Sequence, residues 1–183
     1  MVELTVALVV GLVVLIIVAC LYLPPPSGAS KLTRAKAIQV LSNMKTLHLA
    51  GQQMTLDNAA HGNPVRWTCS GTTPLSLDQW HQALVPSYLQ EKDFQKLLSL
   101  HARGEMIIAM NVFAVCDSDA PDTVLFATKN WHGLATNLSG EPFENKCFVI
   151  FHKAGDGAIL LPNQATNINI IGSGGMHNFL PLK

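Results

Sequence analysis

The chain has 183 residues, with Lys plus Arg equal to Asp plus Glu at 12 each and no formal net charge when histidine is neutral. That length holds one membrane anchor and one globular domain of about 120–150 residues with a real core, but not two full soluble domains. The balanced charge lacks the basic excess that phosphate backbones or anionic lipids select, which argues against nucleic acid as a partner.

Residues 4–23, LTVALVVGLVVLIIVACLYL, carry no charge. At about 1.5 Å rise per residue they reach about 30 Å, the thickness of a bilayer's hydrocarbon core, and lipid offers their backbone no outside partner. A transmembrane helix is therefore predicted there. Pro24-Pro25-Pro26 ends or kinks it, because proline lacks a donor and clashes with the preceding turn. The resulting plan is an anchor with its proline break over residues 1–30 and a soluble domain over 31–183. Four cysteines are present: Cys20 lies in the anchor, and Cys69, Cys116 and Cys147 in the soluble part. Those three allow one disulfide and one free thiol, with the pairing left open, and no CxxC spacing points to zinc.

Residues 31–58 read as a second helix, with Leu32, Ala35, Ile38, Leu41, Met44, Leu47 and Met54 forming an apolar stripe beside Arg34, Lys36, Gln39 and Lys45. His61-Gly62-Asn63-Pro64 is a stop signal. Ser76 followed by Gln79 predicts a capping box, with Leu77, Trp80, His81 and Leu84 at helical spacing until Pro86. A further short helix is expected over 91–101, placing Phe94, Leu97, Leu98 and His101 on one face. From residue 106 the period changes, and β-branched and aromatic runs predict strands at 106–115, 123–128, 147–152 and 158–161. Gly155-Asp156-Gly157 suits a tight hairpin between the last two. The Asn- and Gly-rich tail from 163 accommodates one more strand around 166–171. A long helix, small helices and then antiparallel strands make an α+β domain.

Glu3 stands directly before the apolar run. The sequence of acid, long apolar helix, proline break, amphipathic continuation and small antiparallel sheet resembles the type IV pilin and type II secretion pseudopilin family, the N-terminal methylation-motif proteins. Met1-Val2-Glu3-Leu4 looks like the end of the family's F-T-L-[IV]-E-L opening. Ala35-Lys36-Ala37-Ile38 and Leu41-Ser42-Asn43-Met44-Lys45 are similar to the segment after the anchor in secretion-type members. Trp80, Leu84, Pro86, Tyr88, Leu89 and Phe94 look like a tryptophan-to-proline stretch in some of them. The likeness covers residues 1–58 best.

The resemblance implies a pilin-like fold, in which a long N-terminal helix, transmembrane in its first half, packs on a small antiparallel sheet. It implies a non-enzymatic subunit of a type II secretion pseudopilus or type IV pilus-like filament, which serves protein secretion or a related filament role. Expected partners are other pilin or pseudopilin subunits, the bacterial inner membrane, prepilin peptidase and the assembly machinery. Glu3 matches the family's glutamate that pairs with the N-terminal amine of a neighbouring subunit; a carboxylate in an apolar bundle is costly alone, and such a partner relieves that cost. The chain departs from the pattern in lacking the first-position phenylalanine and a basic leader before Met1, and in an interval from Glu3 to Pro24 about one turn longer than usual. Lys31, Arg34 and Lys36 after the anchor, taken alone, place the soluble domain in the cytoplasm. A basic leader upstream reverses that orientation, and the reversed, periplasmic placement is the one expected.

The alternative function is a lipoprotein or a plain single-pass anchored envelope domain with a binding role. Ile17-Val18-Ala19-Cys20 fits a loose lipobox, although Glu3 sits poorly in a signal peptide's basic n-region. No enzyme motif emerges. The seven histidines, His48, His61, His81, His101, His132, His152 and His177, are scattered without metal-ligand spacing. Ser139 lacks a nucleophile elbow, and Gly172-Ser173-Gly174-Gly175 is not followed by a helix pattern, as a phosphate loop requires. Asp117, Asp119 and Asp122 form the one acid cluster, a calcium candidate through hard oxygen ligands, as in some secretion pseudopilins, or else an exposed charged loop. No other cofactor is expected.

Overall fold

The computed structural model describes residues 28–102, 104–133 and 138–172. The predicted transmembrane segment 4–23, the proline break 24–26, Glu3, Cys20 and His177 lie outside them. Among the described residues no helix is long and apolar enough to cross a membrane. The chain divides between Arg34 and Ala35 into two compact units, and the packing below belongs to the second.

Helix α1 runs over Gly28–Ala60. It ends as the stop signal predicts: Gly62 takes a left-handed φ of 71°, and Asn63 N–H and Gly62 N–H bond back to the carbonyls of Asn58 and Ala59, the Schellman arrangement. The predicted stripe holds from Leu41 onward and fails before it. Ala37, Val40, Met44, Leu47 and Met54 are buried, whereas Leu32 and Ala35 are exposed and Ile38 stands 53% exposed. The helix carries apolar side chains on two faces, and packing decided which one turned inward.

Three short strands follow, β1 (Val65–Arg66), β2 (Cys69–Ser70) and β3 (Thr73–Pro74), in a small antiparallel sheet that no sequence pattern announced. The capping box is present at α2 (Leu77–Leu84), with Ser76 and Gln79 bonding each other's backbone. Helix α3 (Glu91–Leu98) stops before the predicted 101. Ser99–Ala102 is instead strand β4, paired antiparallel with β5 (Glu105–Ile108), so His101 faces solvent on a strand. Alternation explains the change, since Leu100 and Ala102 are buried on either side of it.

The single strand expected over 106–115 is two. After β5 the chain breaks at Ala109, whose N–H bonds to the Leu98 carbonyl, and β6 (Met110–Val112) enters the main sheet. That sheet runs in the order β6, β7 (Val124–Thr128), β8 (Phe148–His152), β9 (Gly157–Leu160), all antiparallel. The strand expected around 166–171 is absent. Pro162–Gln164 forms a 3₁₀ turn and Ile168–Ile171 a short helix, α4, because Gln164 caps Leu161 N–H and the Asn167 side chain accepts from Asn169 N–H.

All five residues of β7 and all five of β8 are buried. One face, with Met110, Val112, Phe126, Val149 and Phe151, packs with Met44, Leu47 and Met54 of α1. The other, with Phe148 and Ile150, packs with Trp131, Ala165 and Ile171, and Trp131 stacks on Phe148 at 5.9 Å. A bulge between Val124 and Phe126 lets both Leu125 and Phe126 join the helix-side core, while Val124 and Ala127 join the other. Gly157 is where α1 meets the sheet edge: a Cβ there would lie 2.5 Å from Phe151 Cδ2 and 2.6 Å from Leu41 Cδ1.

Of the open cysteine pairings, the fold selects Cys69–Cys116, with Cα atoms 5.1 Å apart, and leaves Cys147 as a buried thiol. The bridge closes a sequence separation of 47 residues, for which the chain-entropy relation gives roughly 4 kcal/mol. The paired substitution Cys69→Ser with Cys116→Ser is expected to lower unfolding free energy by about 2–4 kcal/mol, read by denaturant melting of the full chain. An unchanged midpoint would contradict it.

Candidate functional site

The outward face of α1 presents the first candidate surface. Ile38, Leu49 and Leu56 are 53%, 55% and 63% exposed, and Leu49 and Leu56 lie about three and about five full turns beyond Ile38. They therefore share one line of the helix, about 27 Å long, opposite the face that holds Val40, Met44 and Leu47. On that line they alternate with the exposed Ser42, Lys45 and Gln52, which makes a mixed face on which three large apolar side chains recur. Glu3, the predicted assembly residue, is outside the described residues.

The second candidate is the predicted calcium loop. Asp119 Oδ2 accepts from Cys116 N–H at 2.7 Å and closes the turn, and the carbonyls of Cys116, Asp117 and Asp119 accept from Lys153 Nζ at 3.1, 2.6 and 2.7 Å. The backbone of the β8–β9 turn joins in, with Lys153 N–H donating to Thr123 O and Ala154 N–H to Pro121 O. Asp117 is exposed, while Asp119 and Asp122 are half-buried. Among the described residues no group of three or more His, Cys, Asp or Glu side chains is placed to hold a metal ion.

The histidines do separate jobs. His48, buried on α1 between Trp67 and Phe151, donates from Nε2 to the Lys153 carbonyl at 2.8 Å. His152 meets the Asp156 carboxylate through Nδ1 at 2.7 Å and the Ile171 carbonyl through Nε2 at 2.8 Å; a neutral ring donates to only one of these acceptors at a time. His81 lies on Phe94 with ring centres 4.5 Å apart and comes within 2.9 Å of Glu91 Oε2 at ion-pair distance but outside hydrogen-bond geometry. His132 Nε2 reaches Ser139 Oγ at 3.2 Å, a pairing the sequence did not suggest. Both residues are exposed, so water competes for each.

Two of the clefts among the described residues border the helices. One of about 400 Å³ lies among Gln39 and Asn43 of α1, Asp93 and Lys96 of α3, and His101 and Met106 of the β4–β5 hairpin. Asn43 Nδ2 donates across it to the Leu97 carbonyl. The other, about 240 Å³, lies among Asp78, His81, Phe94, Asn111 and Lys129. Neither assembles a nucleophile, a base and an orienting group at bonding distance. Tyr88 has its phenol held above the usual range by burial first and then by the hydrogen bond and charge of Asp57, tying the stretch after α2 to α1.

Burial pushes the Cys147 thiol up, and the neighbouring Lys146 charge offsets this in part. Thiolate is the reactive form, so this cysteine is a packing residue at neutral pH. Compared with protein-family profiles, with characterised proteins and with solved structures, the chain matches none. Cys147 in the native chain is expected to react with iodoacetamide near neutral pH at least tenfold more slowly than in denaturant, followed by mass spectrometry. Equal rates would mean that the thiol is accessible and unshifted.

Proposed function

We propose that the chain is a pilin-like subunit, anchored in a bacterial inner membrane by residues 4–23, that assembles through its N-terminal helix into a type II secretion pseudopilus or type IV pilus-like filament. The observation that carries this reading is that α1 buries one face in the chain's own α+β core and sets three large apolar side chains, Ile38, Leu49 and Leu56, outward in register on the other. A helix that only linked an anchor to a domain has no use for the second face. A helix that packs beside copies of itself does.

Two further features support it. The far side of the main sheet is covered by Trp131, Ala165 and Ile171 of the same chain, which leaves α1 as the large apolar element with a free side. The Cys69–Cys116 bridge suits an oxidising compartment such as the periplasm, where the soluble domain of such a subunit resides. In this reading Glu3 sets axial register by pairing with a cationic group of the neighbour, and the chain has no catalytic role.

Substituting Leu49→Asp in the full chain places a charge on the proposed contact line without touching the core. A surface change of this kind alters stability by only about 0.5 kcal/mol, so thermal melting is expected to stay put while crosslinked multimers in cells disappear. Glu3→Leu is expected to lose multimers too. If both variants crosslink as the parent does, or the parent yields no multimers at all, the anchored-domain alternative takes over.

A further inference from the structure

Strand β6 is an edge of the main sheet, and its register decides which main-chain groups lie on the open side. Lys129 N–H bonds to Ala109 O at one end of the β6–β7 ladder, and Phe113 N–H bonds to Leu125 O at the other. In an antiparallel pair every second residue turns both its N–H and its C=O to the partner strand. Asn111 therefore faces β7 through its partner Ala127, while Met110 and Val112 turn their main chain away. Among the described residues nothing bonds to them on that side.

Met110 and Val112 are only 2% and 4% exposed, and with Asn111 they line the cleft of about 240 Å³ beside α2 and α3. Phe94 and Leu98 of α3 line it as well. Main-chain donors and acceptors without a bond in such a place cost free energy, and an added strand supplies the missing partners. The cleft also carries opposite charges at its two ends. Lys129, which lines it, is tied to Ala109 at the start of β6. Asp78, which also lines it, stands on the first turn of α2. That turn is tied to the far end of β6, since Leu75 N–H bonds to Thr68 O and the Thr68 hydroxyl donates to Phe113 O.

We propose that this cleft takes an extended peptide segment of another protein, which adds to β6 as an antiparallel strand with a basic residue at its leading end and an acidic one at its trailing end. Every neighbour in the main sheet is already antiparallel, and that pairing is the more stable per residue. A strand added in this sense runs from Val112 toward Met110, so its first residues meet Asp78 and its last meet Lys129. An apolar side chain between them lies against Phe94 and Leu98. The cleft is smaller than the about 300–1,000 Å³ of pockets for compact small molecules, which suits a short run of chain along the edge. The inference stands apart from filament assembly, because it uses β6, α2 and α3 and not the outward face of α1.

The test is fluorescence polarisation on the purified full chain in detergent, with labelled pentapeptides Lys-Thr-Z-Val-Asp in which Z is Ala, Val, Leu, Met or Phe. At least one is expected to bind saturably, and roughly tenfold more tightly than its charge-reversed counterpart Asp-Thr-Z-Val-Lys or a copy N-methylated at its three central residues. Adding that peptide is expected to slow hydrogen exchange in the segment spanning β6, read by mass spectrometry. The paired substitution Asp78→Lys with Lys129→Glu, at two exposed positions, is expected to melt near the parent and to prefer the reversed peptide. Should the pair melt well below the parent, Lys129→Glu alone carries the comparison and is expected to lose the preference. The proposal is overturned if no peptide of the set binds, if the reversed or N-methylated peptide binds as tightly, if exchange at β6 is unchanged, or if the substitutions leave the preference as it was.

Discussion

The burial of β8 on both faces governs this fold. Phe148 and Ile150 face one core and Val149 and Phe151 the other, so the strand cannot rest in a two-layer arrangement with one face in water. Covering one face consumes the inward side of α1. Covering the other consumes the Trp131 loop, Ala165 and α4. At about 1.5–3 kcal/mol for each large side chain fully buried, neither cover is dispensable, and the chain on each side of the sheet is committed to it.

The end of that strand is also where independent parts are tied together. His48 brings α1 to the Lys153 carbonyl, Lys153 brings the acid loop, the disulfide brings β2, and His152 brings α4 through Ile171. These are polar or covalent ties placed just beyond the hydrophobic layers, which define contact but not register. The layers supply most of the free energy, and the ties select one arrangement of them.

Much of this was legible in the residues, for definite reasons. The stop after α1 and the capping box at Ser76 are local signals whose chemistry lies within a few residues. The strands at 124–128 and 148–152 showed as continuous apolar runs because they are buried on both sides. Misreadings arose where a distant partner decided. On α1 the stripe reads correctly from Leu41 onward, and Leu32, Ala35 and Ile38 are misread because apolar residues also occupy the outward face. The stretch 91–101 has an apolar pattern that suits a helix until Leu98 and a strand after it, and only pairing with β5 separates the two. Strands β1 to β3, two residues each, hold no period to detect; they are placed by the disulfide and by the Thr68 hydroxyl, which donates to Phe113 O and accepts from Val115 N–H. The acid cluster was visible as charge, but its partner was not, because Lys153 reads carbonyls that every residue possesses.

The attachments of α1 to the rest of its unit have a mechanical meaning. Beyond the apolar contacts, His48 bonds to Lys153, Thr55 accepts from Trp67 N–H, and Asn58 donates to Val65 O, anchor points spread over about 15 Å of helix. A pull along the helix axis therefore loads these bonds side by side in shear, so they resist together, whereas a pull across the axis peels them one after another. The second half of the helix is thus fastened more firmly against a lengthwise load than against a transverse one.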